Sequence, residues 1–437
     1  MIGQITKLPP LKQEKSIDGD IATKSVTSDK NKALSKVTVN PVSSSSLGTA
    51  TPQDVLSGKT FSSGSGISVT GTGVKNVHIY GATWAGTSDP SWTRTDEAAN
   101  FSDPNPYYAG MSGTPSSPFD GLMPWAGIRR VTDSTAGELV EIPKFYYKWT
   151  RSGSAMQLQI ADGPVEGFYV SPAHADRGDG VGERDYVYVG RYHCASDYLS
   201  KTGVLPKGEL TRANFRTNIH NLDSNIWQQD YAMFWTIRML YLVEFANWNS
   251  QAIIGVGCGD GTNKESTGKT DTMSYHTGTM LSSKSTTGSG QQYRYIENLW
   301  ANGFEFVDGI YFSGSNVYCI KNPSQFSDTT NGTLVFTNRI INHNNIISQY
   351  NIPSISGYEY ALFPNAMVSS SLTSSYVCDE YFTGGQSSGQ VLYTGGGYWY
   401  ADPLSEGLFK TATNWDSTGK YTGVTSRLMV LPSQRLN

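Results

Sequence analysis

Tyr398, Trp399 and Tyr400 stand in a row with Asp402 just behind them, and Asn414, Trp415 and Asp416 form a second aromatic–polar group. Tyr393 precedes both groups and Tyr421 follows them, with glycine and serine filling the spaces between. Tyrosine and tryptophan give rigid contact area at low entropic cost, and Ser, Gly and Asn adapt their hydrogen bonds; that is the composition of a binding face. Aromatic faces also stack on sugar rings. An extended backbone through 398–400 puts Tyr398 and Tyr400 on one face and Trp399 on the other, giving one aromatic to the core and two to a ligand. The competing reading is that these aromatics are core, because ten tryptophans must be placed.

Other reactive residue types fall in patterns that do not make a reaction centre. Gly268-Lys269-Thr270 ends like a phosphate loop, but position 263 is Asn where that loop needs glycine. Glu244 lies among apolar positions of a predicted helix and reads as a hydrogen-bond anchor rather than a catalytic acid. His276 reads as a structural hydrogen bonder. The Asp176–Gly180 stretch offers one carboxylate pair, which is thin for calcium, so no metal is expected. Cys194, Cys258, Cys319 and Cys378 show no CxxC spacing and read as buried free thiols. No catalytic residue and no cofactor follow from the sequence. Carboxylates are nonetheless frequent, and the separation that decides a glycosidase mechanism is not readable from a chain.

Composition narrows the class. A net charge of −4 argues against a nucleic-acid partner, whose phosphates require concentrated Lys and Arg. Charged residues are only 16%, against 46 glycines and 26 tyrosines, which suits β-rich, loop-rich extracellular or virion proteins. No run of 18 apolar residues occurs, so no membrane span is expected. The polar N-terminus lacks a secretory apolar region. The expectation is assembly in a bacterial cytoplasm and release by lysis.

The elements that must position the aromatic groups read as follows. Residues 1–79 contain one aromatic, Phe61, and the following stretch is thick with Tyr and Trp. Strands are expected at 34–39 and 67–72, with a short helix between them capped by Thr51 and stopped by Gly58. So little apolar surface needs partners. Residues 139–149 read as one long strand, paired with 156–160, and further strands follow at 167–172 and 186–192. A helix capped by Asp223 or Ser224 carries Trp227, Phe234, Ile237, Tyr241, Phe245 and Trp248 on one face. Residues 293–312 are rich in apolar side chains that fit no single period, so a compact irregular turn and a short strand are expected there. Short strands follow at 316–320 and 334–337, and 340–352 reads as loop with a turn of helix.

Three stretches resemble known families. Ile296-Glu297-Asn298, Trp300 and Ala301-Asn302-Gly303-Phe304-Glu305-Phe306 resemble the signature of formylglycine-generating-enzyme-like domains, a branch of the C-type-lectin fold that also forms receptor-binding ends of some bacteriophage tail proteins. Residues 34–42 with 50–73 are similar to a module of phage tail fibres. The C-terminal order of glycines 395–397, Trp399, Gly407-Leu408-Phe409, a polar loop and Arg427-Leu428 resembles the variable proteins of diversity-generating retroelements, of the major-tropism-determinant type. Ser426 before Arg427 departs from the commoner glycine. The resemblance implies an α+β, C-type-lectin-like body at 77–357, completed by a ligand-binding part at 358–437 and preceded by a β-rich attachment region at 1–76. It implies that Trp300, Glu305, Trp399, Gly407, Phe409 and Arg427 are scaffold. Tyr393, Tyr398, Tyr400, Asp402, Asn414, Trp415, Asp416 and Tyr421 would be displayed. The implied function is receptor binding at a phage tail tip, without catalysis and with loops open to diversification. The partners would be a bacterial surface molecule, tail or baseplate proteins, and two further copies in a homotrimer. The alternatives are a tail-associated glycan hydrolase and a purely structural tail protein.

Overall fold

Period-two patterning builds the first sheet. The computed structural model places Met156, Leu158 and Ile160 inside and leaves Gln157 and Gln159 half-exposed, as alternation along a strand requires. Residues 11–18, 27, 29, 32–40, 60–63, 66–70, 76–258, 264–285, 288–329, 332–341, 343–369, 371–384, 391–396 and 406–436 are described. Strand accounts for 34% of residues and helix for 10%, so sheets carry the architecture. The chain divides into two units, Met1–Asn76 and Val77–Asn437.

The first unit contains a parallel pair, Leu11–Asp18 with Lys32–Asn40, and an antiparallel hairpin, Thr60–Ser63 with Gly66–Thr70. The helix expected after Thr51 lies outside the described residues.

In the second unit, one five-stranded sheet runs from Tyr169–Val170 through Tyr146–Ser152, Ala155–Ala161 and Ile79–Trp84 to Trp92–Asp96. A second five-stranded sheet has the order Ile226–Gln228, Leu428–Val430, Tyr186–Gly190, Gly137–Pro143, Arg129–Asp133. The last strand of the chain is therefore an inner strand of that sheet. A seven-stranded sheet contains Gly303–Val307 between Leu392–Gly396 and Val424–Thr425. The strand expected at 139–149 is two strands in different sheets. Proline has no N–H to give a ladder, and the break follows Pro143: Lys144 N–H goes to Asp185 O and Phe145 N–H to Ser171 Oγ. Residues 344–351, expected as loop, form the Asn344–Asn351 strand of the seven-stranded sheet. Its Asn and Gln content and two irregularities of register around Gln349 hide the alternation.

Helix α1, Arg212–His220, was not expected. Thr211 caps it, accepting from Asn214 N–H, and its buried positions are Arg212, Phe215 and Ile219. An arginine at a buried position masks the apolar period. Helix α2, Tyr231–Phe245, is shorter than its pattern. Asp230, not Asp223 or Ser224, accepts the Met233 N–H at 2.8 Å, and Ala246 ends the helix in a left-handed conformation at φ 50°. Trp227 belongs to a strand and stacks on His220, and Trp248 lies past the end. Every residue of α2 is buried, so its aromatic stripe is not a core face opposed by a solvent face. Glu244 behaves as the predicted anchor. It accepts from Arg294 Nη2 (2.6 Å) and Nε (3.0 Å), Ser117 Oγ (2.8 Å) and Tyr293 Oη (3.0 Å). His276 is held between Asp120 and Thr277.

The central stretch is an irregular turn followed by a strand. Asn298, Ala301 and Asn302 all take positive φ, at 52°, 68° and 55°; asparagine tolerates this locally and alanine does not. Trp300 is fully buried with its indole N–H on Gly255 O at 3.0 Å. Arg427 holds the turn in place. Its Nη1 donates to Gly190 O (2.8 Å) and Arg191 O (2.9 Å), its Nη2 to Glu297 O (2.8 Å) and Asn298 O (3.1 Å), and its Nε to Glu305 Oε2 (3.2 Å). A lysine keeps the charge but loses the planar fork. Arg427→Lys is expected to lower unfolding stability by roughly 2–6 kcal/mol, because an ammonium with three donors leaves two of the five buried acceptors unpaired at about 1–3 kcal/mol each. Urea denaturation checks this; a loss no larger than that of an exposed pair, about 1 kcal/mol, would contradict it.

Candidate functional site

The C-terminal segment is fixed by one buried carboxylate. Asp379 accepts the backbone N–H groups of Gly407 (2.6 Å) and Phe409 (2.7 Å) and the Gln251 amide (2.9 Å). Burial pushes its carboxyl up to about 6, even against those donors. A Cβ at position 407 would lie 2.1 Å from Gln251 Oε1, so only glycine fits. Arg238 Nε donates to Leu408 O at 2.7 Å. Gly407 and Phe409 are thus tied to helix α2 and its neighbours.

Beyond this step the chain forms a polar loop. Trp415 and Tyr421 stack face to face, centroids 3.8 Å apart and 17° between planes, and Trp415 meets Phe304 edge-on at 5.9 Å. Both stacked rings are half-buried, as is Asn414. Asp416 is exposed and its Oδ1 accepts from Thr418 N–H (2.8 Å) and Oγ1 (2.7 Å), closing the turn. Of the other predicted display residues, Tyr393 lies in the Leu392–Gly396 strand opposite Phe306. Its side chain, and Tyr398, Trp399, Tyr400 and Asp402, lie outside the described residues. The predicted scaffold residues Trp300, Glu305, Gly407, Phe409 and Arg427 are all buried.

A cleft of about 600 Å³ opens beside the loop, lined by Leu205, Lys207, Gly208, Glu209, Lys264 and Thr422, among others. Glu209 N–H donates to Tyr421 O at 2.9 Å, which joins cleft and loop. Leu205 is 58% exposed, the most exposed of the large apolar side chains described. Lys264 is set in the wall by the central turn: Asn302 Oδ1 accepts Glu265 N–H (2.6 Å) and Asn302 Nδ2 donates to Glu265 O (2.9 Å). Glycine at 208 leaves room for the ammonium, since a Cβ there would lie 2.5 Å from Lys264 Nζ. Burial pulls Lys264 down to about 8, and Lys207 adds to that while Glu209 opposes it. No carboxylate among the described residues pairs with it. A charge held in a cleft against its own desolvation is a recurrent mark of functional sites.

Sequence reasoning missed this cleft. Lys264 sits in a glycine-rich stretch whose spacing speaks only to a phosphate loop. The Leu205-Pro206-Lys207-Gly208 turn, an apolar residue stranded beside turn formers, was the available signal. The four cysteines are free and buried; burial raises Cys258 to about 12 and the other three further, the opposite of reactive thiols. Among the described residues no three His, Cys, Asp or Glu gather in metal-binding geometry, and no helix is long and apolar enough to cross a membrane. No protein-family model matches the chain, and no curated protein matches it.

The lysine gives a signed prediction. Its folded pKa lies below the ordinary 10.5, so the charged form opposes folding at neutral pH, and that cost is relieved as pH rises through about 8. Lys264→Met is therefore expected to melt above the parent protein at pH 7, with the gap closing between pH 8 and 10.5. Paired thermal melts check this; a variant that melts lower at pH 7 would show that the ammonium stabilises the fold.

Proposed function

We propose that this protein is a bacteriophage tail-tip adhesin that binds a bacterial surface molecule through its C-terminal face and does so without catalysis. One observation carries the reading: the stacked Trp415–Tyr421 pair is joined through Tyr421 O and Glu209 N–H to a cleft whose wall holds Lys264 without a paired carboxylate among the described residues. Binding faces combine such rigid aromatics with positioned polar groups. The exposed Asp416 turn adds a loop whose side chains can vary while Arg427 and Asp379 hold the frame, which suits diversification by a retroelement. The Val77–Asn437 unit is read as a C-type-lectin-like, formylglycine-generating-enzyme-like α+β domain. Arg427 tying the 297–298 turn to the Gly303–Val307 strand, and Asp379 cradling Gly407–Phe409, support that reading. The Met1–Asn76 unit is read as the tail-attachment and trimerising region of a virion protein, since its strand pairs are small and a lone hairpin is marginal in water.

The test uses purified full-length protein and isolated cell walls from a panel of Gram-positive bacteria. Saturable binding with no released sugar is expected. Trp415→Ala and Lys264→Met should each weaken binding roughly tenfold, as loss of a hot spot does. Tyr398→Ala and Tyr400→Ala should weaken it with unchanged melting, whereas Trp399→Ala should lower stability by roughly 3–5 kcal/mol. Released sugar would establish the hydrolase, and binding that ignores all these substitutions would contradict the assigned face. Light scattering should return three chain masses in solution, because avidity multiplies weak contacts; a single chain mass would remove the trimer.

A further inference from the structure

A second cavity, of about 240 Å³, is built from residues the adhesive face does not use. Tyr147 and Tyr360 line it and are 1% and 4% exposed. Neither phenolic hydroxyl bonds to a described residue, and neither belongs to the buried unpaired atoms, so both remain accessible to water although their rings are buried. Burial raises both phenols well above 10, so both remain neutral and able to donate. Arg177, 2% exposed, lines the same cavity. Its Nε donates to Lys321 O at 2.7 Å and its Nη2 pairs with Asp230, but Nη1 has no partner among the described residues. Two accessible hydroxyls without a partner among the described residues therefore line one cavity, with Arg177 in its wall. Hydroxyls suit a ligand that both donates and accepts.

The rest of the wall narrows the ligand. Tyr169 is 44% exposed, its ring 5.9 Å from that of Tyr147, and gives the mouth an aromatic side. Glu359 supplies an acceptor whose Oε1 already takes the Gly357 N–H. Lys321 supplies a further donor, seated over Tyr358 at 4.7 Å. The volume lies below the roughly 300–1,000 Å³ of drug-sized sites, so one small ring fits rather than a chain. Donors of both neutral and charged kind, a carboxylate acceptor and an exposed aromatic side complement a ring that carries several hydroxyls and one apolar face. We propose that this cavity is a binding site for a single neutral sugar unit, separate from the C-terminal face.

Full-length protein would be titrated with glucose, galactose and N-acetylglucosamine, and with alanine as a zwitterionic control, by saturation-transfer NMR and calorimetry. At least one sugar is expected to bind saturably. Tyr360→Phe, which deletes only the hydroxyl, should weaken it roughly tenfold while melting no lower than the parent protein. Tyr169→Ala should weaken it several-fold, and Trp415→Ala should leave it unchanged while impairing cell-wall binding. Those last two responses keep this site's failure distinct from failure of the adhesive reading. No saturable sugar binding at millimolar concentration, equal affinity in Tyr360→Phe, or binding of alanine in place of sugars would overturn the proposal.

Discussion

Arg427 saturates a guanidinium inside the protein. It carries five N–H donors, and the five contacts it makes reach four backbone carbonyls and one carboxylate. A buried charge is normally a liability, because desolvation outweighs attraction unless every donor is met. Meeting them here brings three separate segments to one point: Gly190 and Arg191 at the end of one strand, Glu297 and Asn298 at the central turn, and Glu305 in the middle of the next strand. Burial pushes the Glu305 carboxyl up, yet Arg427 and the neighbouring His193 outweigh it and leave it below the ordinary range. His193 itself is pushed down by burial and by Arg427. The positive-φ residues of the central turn are thus held by a network that is lost as a unit.

That constraint reaches the cleft directly. The turn anchored through Asn298 also presents Asn302, whose side chain clamps Glu265 and so sets Lys264 in the wall. The strand that follows places Phe304 against Trp415 and donates Phe304 N–H to Gly423 O. One buried arginine therefore positions both a cation and an aromatic pair without touching either. A loop carried on such a frame can change its side chains while the frame stays.

Much of this was legible in the chain. The hairpin of Tyr146–Ser152 with Ala155–Ala161 declared itself through period-two alternation around Gly153. Glu244 was legible as a hydrogen-bond anchor from its place among apolar helix positions, His276 as a hydrogen bonder, and the four cysteines as buried free thiols from their lack of CxxC spacing. The irregular turn within residues 293–312 was legible because its apolar side chains fit no single period. What stayed hidden had physical reasons. Arg212 broke the apolar face of α1, Asn and Gln disguised the Asn344–Asn351 strand, and complete burial of α2 removed the polar face that marks helix ends. Pro143 was a visible stop that the strong strand signal around it outweighed. The placement of Lys264 was illegible because it depends on Gly208 and Asn302, which are distant in sequence.

Hydrogen–deuterium exchange of the full chain, with and without isolated bacterial cell wall, tests the central claim most directly. Slowed exchange in 204–209, 264–265 and 414–422 together is predicted, because loop and cleft form one surface. Protection confined to other segments, with these three unchanged, would contradict it.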